Sequence, residues 1–278
     1  MAYAEPMRVR ICAPSGPFAR EDALRVLELA ARFAGLQLDF HPQCFEVHGH
    51  FAGPDAVRLA ALVECANDPA ADAVWFARGG YGAARIAEAA LGQVTGHPLF
   101  LGYSDAGTLL GAFYRAGLGH PVHAPMPADI RRAGGEAAVL RSLAWLAGDR
   151  SGEEPAADPH PRAAFNLMTL AMLVGTPLMP DLAGHVVLLE EVSEYHYAID
   201  RLLFHVTAAL AAMGVAGIRL GRCSDIPEND RPFGMEPQDM VRDWCARRGI
   251  AYLGIADIGH DSANRIVPFG LAVRAPDQ

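Results

Sequence analysis

The stretch PLFLGYSDAGTLLGAF, residues 98–113, holds a strand, a tight turn and a helix in immediate succession. The apolar run 98–101 is typical of a buried strand, and residues 106–113 are typical of the start of a helix. Ser104 lies on the turn between them, where a hydroxyl is exposed and helix N–H groups point toward whatever it attacks. The pattern makes Ser104 a candidate nucleophile; if it is one, the protein is a serine hydrolase and another group must activate the hydroxyl.

Strand-like and helix-like stretches alternate on both sides of this turn. In the first half we expect strands at 9–13, 36–40, 73–77 and 98–101, and helices at 21–33, 55–65, 83–91 and 136–146. In the second half we expect helices at 165–174, 199–213 and 237–247, and strands at 186–189, 217–220 and near 252 and 265. The alternation predicts an α/β protein with a doubly wound, mostly parallel sheet and helices on both of its faces.

A charged, proline-rich segment at 149–162 interrupts this alternation and predicts a linker. It separates an N-terminal α/β domain, residues 1–148, from a smaller C-terminal α/β domain, residues 163–278. A chain of 278 residues is long enough for two such cores.

The composition excludes several classes of protein. A hydrophobic content of 51% with 20% charged residues suits a compact enzyme, and a net charge of −9 argues against a nucleic-acid partner. The chain has no lysine, which excludes a Walker lysine, a Schiff-base lysine and a Ser–Lys dyad. Its five cysteines form no C-x-x-C pair, which favours reduced thiols in a reducing compartment, although a cysteine nucleophile stays open.

Targeting and membrane signals are not found in the sequence. Residues 1–6 lack a basic start and an apolar stretch, and no window approaches the roughly 18 apolar residues of a membrane span. We therefore expect a cytoplasmic protein with no membrane partner.

A glycine-rich loop, Arg78-Gly79-Gly80-Tyr81-Gly82, follows the expected strand 73–77. Its glycines allow either a tight turn with positive φ or a close approach of backbone N–H groups to a ligand. The phosphate-binding patterns do not fit. In a doubly wound sheet this loop and the Ser104 turn lie at the same edge. One N–H from the loop, at Gly80, and that of Asp105 could then form an oxyanion hole.

Two further candidate catalytic residues lie in the second half of the sequence. Glu190 directly follows a buried apolar run, where a carboxylate needs a partner, although an acidic solvated turn explains the same cluster. His260 ends an apolar stretch in a glycine-flanked turn, as a general base projecting into a cleft would. No histidine spacing typical of a metal site is present, so we expect neither a metal nor a cofactor.

Taken together, these segments resemble the LD-carboxypeptidases, serine peptidases that remove the terminal D-alanine from murein tetrapeptides. The matching elements, in chain order, are Ala13-Pro14-Ser15-Gly16, the loop 78–82, Gly102-Tyr103-Ser104-Asp105, Gly175-Thr176-Pro177, the cluster 189–194, and Gly259-His260 before Pro268-Phe269-Gly270. They span nearly the whole chain, and six in register make the resemblance specific.

The resemblance implies a triad of Ser104, His260 and Glu190, with the site at the interface of the two domains. It also implies a cytoplasmic homodimer without metal that acts on murein tetrapeptides in cell-wall recycling. Within the glycine-rich loop, Arg78 and Tyr81 are candidate substrate-binding residues, Arg78 for the D-alanine carboxylate. The sequence departs from the family at Ala124-Pro125-Met126 and at Ala164-Phe165-Asn166, and Phe165 leaves the size of the substrate pocket open.

Two other functions remain open from the sequence alone. The related microcin-immunity peptidases share the triad but cleave peptidyl- or aminoacyl-nucleotides, and they carry an insertion that this chain lacks. A non-catalytic sugar- or nucleotide-binding module could use the glycine-rich loop instead.

Overall fold

Two mostly parallel sheets and their covering helices form the molecule, which is described here from a computed structural model of residues 6–156 and 159–271. The strands of the first sheet are β1 (Met7–Cys12), β2 (Leu36–Phe40), β3 (Ala73–Phe76), β4 (Leu99–Gly102), β5 (His120–His123) and β10 (Val267–Pro268). Its helices are α1 (Arg20–Ala30), α2 (Asp55–Asn67), α3 (Ala83–Leu91), α4 (Gly107–Ala116) and α5 (Gly135–Leu146). The strand order is β10-β5-β4-β3-β1-β2, and only β10 runs antiparallel.

The second sheet has four strands, all parallel. They are β6 (Arg162–Asn166), β7 (Val186–Val192), β8 (Gly217–Ser224) and β9 (Tyr252–Ile255), in the order β6-β7-β8-β9. The accompanying helices are α6 (Leu167–Leu173), α7 (His196–Met213) and α8 (Pro237–Arg248). The prediction of an α/β fold with mostly parallel sheets is therefore confirmed.

The two sheets share a hydrophobic core. Phe100 on β4 and Leu109 on α4 belong to the same buried cluster as Phe165 on β6 and Leu189 on β7. The four-residue strand β3 is buried throughout, as expected for a central parallel strand. A continuous apolar core fixes one sheet relative to the other, so side chains at the ends of their strands can form a common site.

The structure corrects the expected helix at 165–174. Residues 162–166 instead form β6, which pairs with β7, and only Leu167–Leu173 is helical. All five residues of β6 are buried, and a short apolar run of this kind fits a buried strand as well as a helix. The strand β5 was not predicted from the sequence either, because its four residues include two histidines and a proline.

The expected linker at 149–162 is partly structured. A 3₁₀ turn spans Arg150–Gly152, and the backbone of Glu154 donates to Ile266. The Glu154 side chain is buried and pairs with Arg219 at 2.8 Å, while Arg162 already belongs to β6. Since β10, from the C-terminal part, joins the first sheet, the two halves are interlocked. The division at 149–162 stays a prediction.

Some of the expectations fall on residues that are not described. Residues 1–5, 157–158 and 272–278 lie outside the described ranges. The first of these stretches is most of the N-terminal segment in which we looked for a targeting signal. Among the helices of the described part, none combines the length and apolar character that crossing a membrane requires.

Candidate active site

The turn after β4 has the strained geometry that the sequence predicts. Ser104 adopts φ of +60°, a left-handed conformation that residues other than glycine rarely take. A 3₁₀ turn at Ser104–Ala106 leads directly into α4. Strained residues of this kind concentrate at functional sites, where the surrounding structure holds them in place.

The glycine-rich loop lies against the Ser104 hydroxyl. A Cβ atom added to Gly79 would be 3.1 Å from Ser104 Oγ and 3.3 Å from the backbone nitrogen of Asp105. Gly80 has φ of +108°, which favours glycine at this position. The loop backbone at Gly79 therefore lies close to both the hydroxyl and the Asp105 nitrogen, as an oxyanion hole built from these two segments requires.

The side chain of Asp105 holds the turn in place. Its Oδ2 accepts hydrogen bonds from Ser15 Oγ at 2.5 Å and from the backbone N–H of Ala83 at 2.9 Å. Burial raises the pKa of this carboxyl, although both hydrogen bonds oppose the shift. Asp105 thus ties the nucleophile turn to the loop after β1 and to the start of α3.

Glu190 and His260, from different parts of the second half, form a buried pair. His260 Nδ1 lies 2.6 Å from Glu190 Oε2, and Glu190 on β7 is fully buried. A carboxylate only accepts, so Nδ1 carries the proton and Nε2 presents its lone pair. His260 and Ser104 line one cavity. The structure therefore brings together all three residues predicted for the triad.

Two residues that the sequence analysis gave no role hold the His260 turn. Asn264 Oδ1 accepts from the backbone N–H of Gly259 at 3.1 Å and contacts His123 Nε2 at 3.0 Å. A backbone N–H can only donate, so this Asn264 atom is its oxygen and His123 Nε2 carries a proton. Burial lowers the pKa of His123, which favours the neutral ring. The ring of Tyr103 lies 5.5 Å from that of His123 and 4.8 Å from that of His260.

A second buried glutamate holds the start of α6, which in turn contacts the Ser104 turn. Glu191 Oε1 accepts from Asn166 Nδ2 at 2.7 Å, and its Oε2 accepts from the backbone N–H of Met168 at 2.8 Å. Burial raises the pKa of this carboxyl. Asn166 Oδ1 caps α6 through the N–H of Thr169, whose hydroxyl donates to the Ser104 carbonyl at 3.3 Å. The start of α6 is thus fixed against the Ser104 turn.

The cavity that contains Ser104 and His260 has a volume of about 490 Å³. Its other lining residues are Arg78, Gly79, Gly80, Tyr103, Met126, Ala128, Asp129, Arg131, Arg132, Val192, Ser193 and Asp225. Residues from both halves of the chain therefore form its walls. A larger cavity of about 590 Å³, along residues 226–236, contains none of the predicted site residues.

The two predicted substrate-binding residues differ in their placement. Arg78 lines the cavity and donates to the carbonyl of Pro17 at 3.1 Å, without a carboxylate partner among the described residues. Burial and the neighbouring charge of Arg131 lower its pKa. Tyr81 packs near His50 and Phe51 and is not among the residues that line this cavity. The placement supports Arg78 and gives no support to Tyr81.

The two departures from the family pattern leave the cavity free. Phe165 is 1% exposed and packs edge-on against Phe269, so it belongs to the core rather than to the pocket. Ala124 is buried and donates to the Gly102 carbonyl at 3.0 Å. Within residues 6–156 and 159–271, no group of three or more His, Cys, Asp or Glu side chains could hold a metal ion.

Family models match most of the sequence. Residues 9–124 match the LD-carboxypeptidase N-terminal domain, and residues 164–274 match the LD-carboxypeptidase C-terminal domain. The chain belongs to the LD-carboxypeptidase family. This membership confirms the resemblance found in the sequence and the prediction of a serine-type carboxypeptidase.

Proteins named as carboxypeptidases are among the relatives of this LD-carboxypeptidase. A putative carboxypeptidase of Streptomyces coelicolor is 33% identical, over 95% of this chain and 88% of that protein. The murein tetrapeptide carboxypeptidase of Pseudomonas aeruginosa is 27% identical, over 95% of this chain and 91% of its own.

Two solved structures show the same fold. A muramoyltetrapeptide carboxypeptidase from Oxalobacter formigenes superposes with a TM-score of 0.76 at 23% identity, covering 95% of this chain and 96% of its own. The microcin C7 self-immunity protein MccF superposes with a TM-score of 0.77 at 15% identity, covering 96% of this chain and 92% of its own. Both similarities show the fold alone, so neither structure identifies the substrate of this protein.

Proposed function

We propose that this LD-carboxypeptidase hydrolyses the bond between diaminopimelate and the terminal D-alanine of murein tetrapeptides, as a step in peptidoglycan recycling. The observation that carries the proposal is the 2.6 Å contact of the buried Glu190 with His260, which lines the same cavity as Ser104. The name of the Pseudomonas aeruginosa relative supports the choice of substrate. We also propose that the protein is located in the cytoplasm and forms a homodimer.

In the first half of the proposed reaction, Ser104 is acylated. His260 Nε2 takes the hydroxyl proton as Ser104 Oγ attacks the scissile carbonyl carbon. Glu190 holds the ring in the required tautomer and stabilises the imidazolium. The N–H of Asp105 and an N–H of the Gly79-Gly80 loop stabilise the oxyanion. His260 then protonates the nitrogen of D-alanine, which leaves.

In the second half, water hydrolyses the acyl-enzyme. His260 Nε2 accepts a proton from water as its oxygen attacks the ester carbonyl, and the same oxyanion contacts form again. Collapse of the intermediate returns the proton to Ser104 Oγ and releases the tripeptide. One water is consumed for each D-alanine released.

Arg78 is the proposed partner of the D-alanine carboxylate. Its guanidinium is partly buried at the cavity wall, and burial lowers its pKa, so an incoming carboxylate would compensate its lost hydration. Arginine also recognises carboxylates with two parallel hydrogen bonds, which suits a C-terminal group.

The test uses a synthetic murein tetrapeptide and mass spectrometry of its products. The wild type should release D-alanine and the tripeptide, and Ser104→Ala should release neither while keeping the melting temperature of a folded protein. Ser151→Ala, at an exposed serine in a 3₁₀ turn, serves as the matched control and should retain activity. D-Alanine release by Ser104→Ala would contradict the nucleophile assignment.

A parallel assay with an aminoacyl-sulfamoyl adenylate separates the proposal from a microcin-immunity activity. Cleavage of that compound together with inactivity toward the tetrapeptide would overturn the proposed substrate. If both compounds stayed intact and Ser104 failed to react with a fluorophosphonate, a non-catalytic binding protein would be the better explanation.

A further inference from the structure

Three residues other than glycine have positive φ in the described part of the chain. They are Ser104 at +60°, Ser193 at +62° and Asp225 at +51°. All three line the cavity that holds His260. The nucleophile accounts for Ser104, but the proposed reaction gives no role to Ser193 or Asp225. Backbone strain confined to one cavity indicates that these two positions also serve the site.

Ser193 and Asp225 lie side by side at the ends of neighbouring strands. Ser193 follows β7 and Asp225 follows β8, and Val192 pairs with Ser224 in the register of the two strands. The backbone N–H of Ser193 donates to the Ser224 carbonyl at 2.9 Å. Asp225 therefore has a fixed place in the part of the cavity wall that follows the second sheet. The arginines that line the cavity come from the first half of the chain.

The charges that line the cavity are mostly paired. Arg131 contacts Asp22 at 2.5 Å, and Arg132 contacts Asp129 at 2.9 Å. Asp129 also accepts from the hydroxyl of Tyr103 and the backbone N–H of Met126. Among the described residues, Arg78 and Asp225 then remain as the two lining charges without an ion-pair partner. The cavity thus offers a substrate one cation and one anion.

We propose that Asp225 binds a side-chain ammonium of the residue that supplies the scissile carbonyl. This inference rests on the proposed function, in which Arg78 takes the terminal carboxylate. It names Asp225 as the residue that recognises the diamino acid of the proposed substrate. A peptide that fills the cavity displaces water, so the ion pair with Asp225 strengthens as the substrate binds. Asp225 is exposed in the free protein, and a third residue without an amine would leave its carboxylate without an ion-pair partner.

The test compares three tetrapeptides that differ only in the third side chain: diaminopimelate, lysine and norleucine. Norleucine has the length of lysine but no amine. The wild type should cleave the lysine peptide with a kcat/KM about tenfold above the norleucine peptide. Asp225→Asn should lose this preference through a higher KM for the two amine-bearing peptides, with little change for norleucine.

Asp230→Asn is the matched control, because Asp230 lies in the same loop between β8 and α8 but lines the other cavity. It should retain the wild-type preference. The rate of Ser104 labelling by a fluorophosphonate should be the same in all three proteins. Equal cleavage of the lysine and norleucine peptides by the wild type, or an equal loss on all three peptides in Asp225→Asn, would overturn the inference. Failure of the wild type on every peptide would instead contradict the proposed function.

Discussion

Nδ1 of His260 lies 2.6 Å from Oε2 of Glu190, although 70 positions separate the two residues in the sequence. Glu190 lies in the C-terminal half of the buried strand β7, and its Oε1 has no hydrogen-bond partner in the described part of the chain. An unpaired buried carboxylate oxygen destabilises the fold. Its presence beside a histidine at the cavity is therefore better explained by catalysis than by stability.

Replacing Glu190 by glutamine should reduce kcat by about 10³- to 10⁴-fold. The amide of glutamine can donate to Nδ1, which would place the ring proton on Nε2 and remove the general base. Steady-state kinetics on the tetrapeptide measure this loss, and the melting temperature should not fall strongly. Glu194→Gln, at a partly exposed glutamate of the same cluster, should keep wild-type kcat. A Glu190→Gln variant with half the wild-type rate would contradict the triad.

Replacing Gly79 by alanine should inactivate the enzyme without unfolding it. The added methyl group would lie 3.1 Å from Ser104 Oγ and 3.3 Å from the Asp105 nitrogen, in the space of the proposed oxyanion hole. Loss of one oxyanion contact typically costs about 10²- to 10³-fold in kcat. Gly35→Ala is the control, since its methyl group would meet no atom within 4 Å. Full activity of Gly79→Ala would show that the oxyanion binds elsewhere.

The nucleophile turn could be predicted from the sequence because all its determinants are local. An apolar strand, a serine and a helical pattern follow one another within residues 98–113, and the structure has the same order. The pairing of Glu190 with His260 came from the family resemblance, since no local pattern relates residues so far apart.

The roles of His123 and Asn264 could not be predicted, for a physical reason. The two side chains meet only because β10 pairs with β5, which places Val267 opposite His123. The pairing is antiparallel and involves two residues of β10, too few for a sequence pattern. The role of Asp225 could not be predicted from the sequence either, because its position in the cavity depends on the register of β7 and β8. Tertiary contacts, rather than local preference, create this part of the site.

Replacing Asn264 by alanine should lower both stability and kcat. The change leaves the buried donors Gly259 N–H and His123 Nε2 without an acceptor, at about 1–3 kcal/mol each. Urea denaturation measures the free energy of unfolding. Asn67→Ala is the control, because Asn67 Oδ1 also accepts from two backbone N–H groups, but near solvent, where water can replace it.

The variant Asn264→Asp separates positioning from mere stability. It keeps an accepting oxygen and adds a negative charge near the His260–Glu190 pair, which favours the imidazolium form. The acidic limb of the pH profile of kcat/KM should therefore move to higher pH, with much of the lost stability restored. An unchanged profile would limit Asn264 to a structural role.

Thiol reagents should neither label nor inhibit the folded enzyme at pH 8. Burial raises the pKa of Cys223 to about 12 and that of Cys245 to about 11. Only about one thiol in a thousand or fewer would then be ionised at pH 8. Cys12, Cys44 and Cys65 are at most 1% exposed. Ellman's reagent should detect all five thiols only in urea, and inhibition coupled to labelling of one native thiol would support a cysteine nucleophile.

Asp105 should give stability a pH dependence opposite to that of Asp55. Burial raises the pKa of Asp105, so the folded state binds more protons than the unfolded state above about pH 3.9. The free energy of unfolding of the wild type, minus that of Asp105→Asn, should therefore fall as pH rises toward the folded pKa. Arg85 and Arg58 lower the pKa of Asp55, so the same difference measured with Asp55→Asn should rise with pH up to the unfolded pKa. Urea titrations between pH 3 and 7 measure both differences. Slopes of the same sign would contradict the role of burial at Asp105.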